Sequence, residues 1–235
     1  QNPLQLMQPT TASGRLVDFM RRHPTIIFGG LLLFTIALAA VFAPLIARDP
    51  LALEPISRLK APSAEFWLGT DSLGRDIYAR MVYGARISLL VGLTVAFFSV
   101  LAGAVIGLVA GYFRRIDAVV MRLMDGLMAI PSILLAIALV SLLGASVKVV
   151  IVAIVIPEIP RVTRLVRAVV LSVRDLPYVE AARSNGTRVG KLLRRHILPS
   201  TVAPLIVQAT YICASAILTE AGLSFLGLGA QPPAA

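Results

Sequence analysis

Charge is scarce in this chain. Asp, Glu, Lys and Arg make up 14% of its 235 residues, where an ordinary soluble domain carries about 25%. With 57% hydrophobic residues and a mean hydropathy of +0.86, that scarcity excludes a soluble globular domain. Several separate apolar runs exclude a single-anchor protein as well, leaving a polytopic helical membrane protein. There is one cysteine, Cys213, so no internal disulfide can form. Its position inside an apolar run suits a small buried hydrophobe. His23 and His196 are too isolated to build a metal site. Asp71 and Asp76 lack the alternating oxygen ligands and terminal Glu of a calcium loop. No Ser/His/Asp or Cys/His set is visible, and no Gly-x-x-x-x-Gly-Lys-Ser/Thr phosphate loop. No catalytic residue, metal ligand or cofactor site is therefore expected in the chain itself.

What charge there is has one dominant sign, with a net of +10. The basic residues sit in short gaps between apolar runs, which is topological information rather than a nucleic-acid patch. Fifteen of the 22 Lys and Arg fall in three gaps: before residue 26, from Arg114 to Arg122, and from Arg161 to Arg195. The positive-inside rule places these gaps, and the N-terminus, in the cytoplasm. The first apolar run is long enough to remain as a span and does not read as a cleavable signal peptide.

Residues 1–25 form a cytoplasmic segment in which Ser13 could cap a short amphipathic helix ending before Pro24. A helix needs about 20 residues to cross about 30 Å of hydrocarbon, and residues 26–46 supply the first span. Residues 47–84 form a segment on the far side. Its centre runs from Gly69, Thr70 and Asp71 to Gly74, Arg75 and Asp76. Asp76 is placed to cap a helix with Ile77, Met81, Val82 and Ala85 on one face.

The remainder, residues 85–235, is the core. A second span runs from Ile87 to Tyr112, where Gly103, Gly107 and Gly111 form overlapping GxxxG pairs for close helix packing within the chain. A third is expected from Gly126 to Val147. A shorter fourth runs from Val149 to Pro160, interrupted by Pro157 and Pro160. A fifth extends from Thr201 to Gly222. Asp125 is expected to pair with Arg122, and Glu158 with Arg161, at the cytoplasmic boundary.

Residues 175–199 interrupt the apolar pattern. Asp175 and Pro177 suit a helix start, Glu180 lies near its positive end, and Asn185-Gly186 is a strong stop. Thr187 can cap a second helix, which Pro199 should end before the fifth span. Its apolar face would carry Val189, Leu192, Leu193 and His196. This helix pair on the cytoplasmic face reads equally as a docking surface or as a pair resting on anionic lipid.

The motif Glu180-Ala181-Ala182, three residues, Gly186, nine residues, then His196-Ile197-Leu198-Pro199 resembles the EAA motif of permease subunits of bacterial ATP-binding cassette importers. His196 replaces the Ile of the general pattern and matches the dipeptide and oligopeptide branch. The strings Leu68 to Asp76 and Tyr83 to Leu89 are similar to the outer segment and second helix of that branch. Leu223 to Pro233 is similar to the end of its fifth helix. The resemblance implies an all-α bundle of the type I importer transmembrane fold in the bacterial inner membrane. It also implies a second permease subunit, with a heterodimer expected, two ATPase subunits that bind ATP and Mg, and an external substrate-binding protein. Glu180, Ala181, Ala182, Gly186, His196, Leu198 and Pro199 would then couple to the ATPase. The Gly69 to Asp76 loop would meet the binding protein or cover the mouth of the pathway. The family usually has a sixth span and a cytoplasmic C-terminus, so a truncated chain is expected.

Glu220 is the only charged residue between Pro199 and Ala235. An intramembrane acid is a functional candidate: it could line the pathway and meet a substrate amine. It could equally sit at the outer interface or bond to a partner subunit. A stand-alone channel or secondary transporter is the competing function. It should show buried charges along several spans or an inverted repeat, and neither is present.

Overall fold

The computed structural model describes residues 24–229. The amphipathic helix expected from Ser13 and the tail beyond residue 229 lie outside the described residues. The chain divides into two compact units, residues 1–86 and 87–235. Among the described residues both are built from helices and irregular segments, with no named strand.

In the first unit, α1 (Pro24–Val41) is 18 residues long, or about 27 Å at 1.5 Å per residue. The sequence reading carries this span unbroken to Ile46. The chain instead leaves the helix at Phe42 and resumes as α2 (Ala43–Ile46). Pro44 accounts for the break, because it lacks the amide hydrogen and its ring obstructs the preceding turn. The side chains of α1 point outward, with Phe28 72% and Phe34 61% exposed, as lipid-facing residues would. An irregular segment follows, with one short 3-10 turn at Pro55–Ser57. It leads into α3 (Ile77–Tyr112), a helix of 36 residues. Asp76 caps α3 as expected: its Oδ1 accepts the Tyr78 amide at 2.9 Å. The buried face of the first turns differs from the expected one. Ala79 and Val82 are buried, whereas Ile77 and Met81 are exposed.

The second unit is organised around α6 (Val147–Val173), which buries residues along its whole length, from Val150 to Val173. It packs against α4 (Arg114–Met128), α5 (Ser132–Leu143) and α9 (Leu198–Phe225). α3 and α6 also approach each other closely. A Cβ on Gly103 would lie 2.4 Å from Val162 Cβ, on Gly107 2.7 Å from the Thr163 carbonyl oxygen, and on Gly111 2.6 Å from Val170 Cβ. The GxxxG pairs therefore act within the chain, as expected. Pro157 and Pro160 do not interrupt α6; both are buried within a continuous helix.

Charged pairs fix the basic ends of these helices. Arg167 grips Asp117 with two nitrogens, the Nη2 bond to Oδ2 measuring 2.6 Å. Arg164 binds Asp125, in place of the expected Arg122–Asp125 pair. Arg161 binds Glu158 at 2.9 Å, as expected from their spacing.

Among the described residues three helices are long and apolar enough to cross a membrane: α1, α3, and the run Val189–Phe225 that includes α9. A fourth is counted if α4 and α5 form one broken span, and these two meet at an angle of 81°. The five-span arrangement thus differs from the structure at two places. The expected third span, Gly126 to Val147, crosses the bend before Pro131. Proline disfavours helical backbone in the residue before it, and α5 alone has 12 residues, about 18 Å. The expected fourth span is the first half of α6, whose apolar stretch ends at the Glu158–Arg161 pair.

The glycine seam yields a direct test. Gly107→Val should lower the melting temperature in detergent by several degrees or abolish folded protein, since overpacking costs about 1–3 kcal/mol. Gly29→Val, where a Cβ meets nothing within 4 Å, should leave melting unchanged. Equal melting of the Gly107 variant and the parent would contradict the packing.

Candidate functional site

The segment after α6 builds one compact element. α7 (Pro177–Ser184) starts with Pro177 in its first turn and Glu180 as the acid of that turn. Leu176 occupies the N-cap without a side-chain bond, so Asp175 does not cap the helix. At the other end Gly186 has φ +74°. The Thr187 amide donates to the Ala182 carbonyl at 3.1 Å, and the Gly186 amide to that of Arg183 at 3.0 Å. These two bonds form a Schellman cap, which requires a left-handed residue where Gly186 stands.

The return segment begins at Arg188, the N-cap of α8 (Val189–Leu192), which also lacks a side-chain cap. Thr187 therefore does not cap it. Nor does Pro199 end it. Residues 193–197 widen into a π turn, in which the Leu198 amide reaches back to the Leu193 carbonyl. The chain then runs straight into α9, with Pro199 in its first turn. The shifted register accommodates a proline that an uninterrupted α-helix would resist.

Burial divides the element into two sides. Val179, Leu192 and Ile197 are almost fully buried in the core shared with α6 and α9. Ala182, Leu193 and His196 are half-buried, and the Tyr178 hydroxyl donates to the His196 carbonyl at 3.4 Å. Glu180, Ala181, Arg183, Ser184, Asn185, Gly186, Arg188, Gly190 and Lys191 are exposed. Glu180 has no ion-pair partner among the described residues. A Cβ at Gly186 or Gly190 would meet nothing within 4 Å. Of the residues singled out in the sequence, Glu180, Ala181 and Gly186 share the open side. Ala182 faces the core, while Leu198 is half-buried and Pro199 exposed at the start of α9. The buried anchor Val179 was not among them, and Ile197 was read only as part of the motif, with no anchoring role. The signal of each is only an apolar residue in or beside the motif, which gains meaning once the neighbouring helices are placed.

The loop that precedes α3 is ordered around Asp71. Its carboxylate accepts the amides of Leu73 and Arg75 at 2.8 and 2.9 Å, and binds Arg75 Nε at 2.8 Å and Arg80 Nη1 at 2.7 Å. Thr70 bonds the Ser57 carbonyl and accepts the Lys60 amide. Gly69 and Gly74 take positive φ, and a Cβ on Gly74 would strike the Glu54 carbonyl at 1.9 Å. Burial works against ionising Asp71, but the Arg75 and Leu73 amides and the Arg75 guanidinium outweigh it, bringing the carboxyl down to about 2.

Glu220 lies on α9 and is 6% exposed. Its Oε1 accepts the Ser224 hydroxyl at 2.7 Å. Among the described residues no group of three or more His, Cys, Asp or Glu could hold a metal.

This arrangement has relatives. Residues 99–235 match the family described as the binding-protein-dependent transport system inner membrane component. The chain belongs to that family. It is 56% identical over 221 residues to a probable peptide ABC transporter permease protein of Sinorhizobium fredii, covering 94% of this chain and 76% of that protein. It is 45% identical over 216 residues to a dipeptide transport system permease protein of Alkalihalophilus pseudofirmus, covering 91% and 71%. A glutathione transport system permease protein of Pectobacterium atrosepticum is 42% identical over 217 residues, covering 92% and 72%. The chain is thus a multi-pass permease subunit, a membrane component that works with ATPase and substrate-binding components.

Asp71 gives a pH prediction. Its folded-state pKa lies below the ordinary 3.8, so its stabilising contribution is complete above about pH 5. It is lost as the pH falls toward 2 and can reach about 2.4 kcal/mol, at 1.36 kcal/mol per unit. Proteolysis of this loop in detergent should accelerate through that range. Asp71→Asn should be cleaved faster at neutral pH and show less acceleration; a pH profile identical to the parent's would contradict the role given to Asp71.

Proposed function

We propose that this chain is one of two permease subunits, in a heterodimer, of an ATP-driven importer of di- or oligopeptides. In this reading α7 and α8 face the cytoplasm and seat in a groove of an ATPase subunit. Two ATPase subunits bind and hydrolyse ATP with Mg, and this chain adds no catalytic residue. An external binding protein delivers substrate on the side of the Asp71 loop. The clustering of Lys and Arg supports a cytoplasmic N-terminus, and the names of the relatives support a peptide-type substrate.

One observation carries the reading. The Schellman-capped turn at Gly186 presents Glu180, Ala181 and Gly186 to open space, while Val179, Leu192 and Ile197 root the same turn in the core with α6 and α9. A push on the exposed side is therefore delivered to the membrane helices. Among the described residues nothing fills the space above Gly186, so the motif glycine serves the turn and what approaches it. In the same reading Glu220 lines the pathway, with Ser224 fixing one oxygen and the other left for a substrate amine.

The test is co-expression with the partner subunits. Gly186→Val, which places a β-branched residue in a left-handed conformation at about 1–2 kcal/mol, should reduce the ATPase recovered with the permease at least several-fold. Glu180→Arg should do the same. Membrane insertion should be intact in both, and Glu220→Gln should retain the ATPase but lose peptide uptake. Full ATPase recovery with both motif variants would defeat the docking role. Undiminished uptake by Glu220→Gln would defeat the pathway role alone.

A further inference from the structure

Helix ends of the second unit converge on a basic cleft whose residues lie outside the Glu180, Ala181, Ala182 and Gly186 motif. Tyr112 ends α3, Arg114 opens α4, Arg174 caps the end of α6, Asp175 follows it and Arg183 lies on α7. These five residues line a cleft of about 380 Å³, within the range typical of small-ligand sites. Three guanidinium groups face one carboxylate, leaving a surplus of two positive charges.

Among the described residues little offsets that surplus: Asp117, whose charge Arg174 also feels, is already gripped by Arg167. Arg161, Arg164 and Arg167 each bind an acid. Arg114 and Arg183 have no ion-pair partner among the described residues. Arg174 reaches Asp175 only at 3.4 Å, and that carboxylate is 72% exposed. The Arg174 side chain is 14% exposed and is held by the bond from its Nη1 to the Gly111 carbonyl, 2.9 Å. That bond satisfies a carbonyl at the C-terminal end of α3 and fixes the guanidinium before any ligand arrives. Gathered guanidinium groups repel one another, and their planar forks match the oxygens of a phosphate.

We propose that this cleft binds a phosphate oxyanion between the ends of α3 and α6 and the coupling helix α7. The phosphate belongs to the headgroup of an anionic phospholipid or is free in solution; the chemistry of capture is the same. The lipid source follows from the cleft's place at the ends of membrane helices, with Tyr112 as an interfacial aromatic. The consequence for coupling rests on the function proposed above. A bound phosphate ties Arg183 on α7 to Arg114 and Arg174, so occupancy restrains the helix that the ATPase must move.

Native mass spectrometry of the whole transporter in a neutral detergent tests this. Short-chain phosphatidylglycerol and inorganic phosphate serve as separate probes, and the comparison is between the parent, Arg114→Gln, the Arg114→Gln/Arg183→Gln pair, and Arg115→Gln. Arg115 is exposed and outside the cleft. At about 1 kcal/mol per arginine, the pair should bind phosphatidylglycerol on the order of thirtyfold more weakly, Arg114→Gln about fivefold, and Arg115→Gln almost as the parent does. If inorganic phosphate instead shows this pattern and phosphatidylglycerol does not, the cleft holds free phosphate and the proposal stands. Equal binding of both probes by the parent and Arg114→Gln overturns it, even if the pair fails to fold. Loss of ATPase subunits from the pair with lipid binding unchanged also overturns it, because the arginines then belong to the ATPase contact. Failure of the parent to retain ATPase subunits counts against the coupling reading and not against the cleft.

Discussion

The close approach of α3 and α6 is the constraint on which the second unit depends. Three glycines at four-residue intervals let one backbone meet Val162, Thr163, Val166 and Val170 of the other at distances no side chain would allow. In a bilayer, packing of this kind takes the place of a hydrophobic drive between helices. With α3 so placed, α6 is enclosed, and α4, α5 and α9 pack against it. Enclosure explains why α6 can carry Pro157, Glu158 and Pro160 in a continuous helix. The backbone gaps and the charge lie inside protein, where Arg161 provides the counter-charge.

The α7–α8 element inherits its stiffness from this arrangement. α6 runs directly into the α7 turn, and α8 continues through a π turn into α9, so neither connection is a long loop. Val179, Leu192 and Ile197 close the joint from within. Arg174 joins the end of α6 to the last turn of α3, and Arg167 joins α6 to α4. A displacement of the exposed Glu180–Gly186 surface therefore reaches several helices together. In the docking role proposed for α7, this is the mechanical property the contact with an ATPase requires.

Much of this was legible in the sequence because it depends on local rules. Asn185-Gly186 announced a left-handed cap, Asp76 a helix start, and the GxxxG pairs a close contact inside the chain. The residues of the EAA motif stood at their spacing before any geometry was known. What the sequence concealed depends on distant partners. The Arg167–Asp117 bridge joins residues 50 positions apart, and Arg164 takes Asp125 from the nearer Arg122. The break before Pro131 and the continuity through Pro199 show the same residue type acting in opposite ways. At Pro131 the preceding residue leaves helical backbone, whereas before Pro199 a π turn shifts the hydrogen-bond register. Charge content alone could not distinguish the buried α6 from a lipid-facing span, because its neighbours, rather than its composition, shield it.

The central claim is that the open face of α7 meets the ATPase and moves with it. Cross-linking measures this directly. In a Cys213→Ala background, Ala181→Cys should form a disulfide with cysteines introduced along the groove of the ATPase subunit, and its yield should change when ATP is bound. A cross-link confined to the groove and sensitive to nucleotide is the predicted result. Absence of any Ala181→Cys cross-link to the ATPase in a complex that transports peptide would contradict the account.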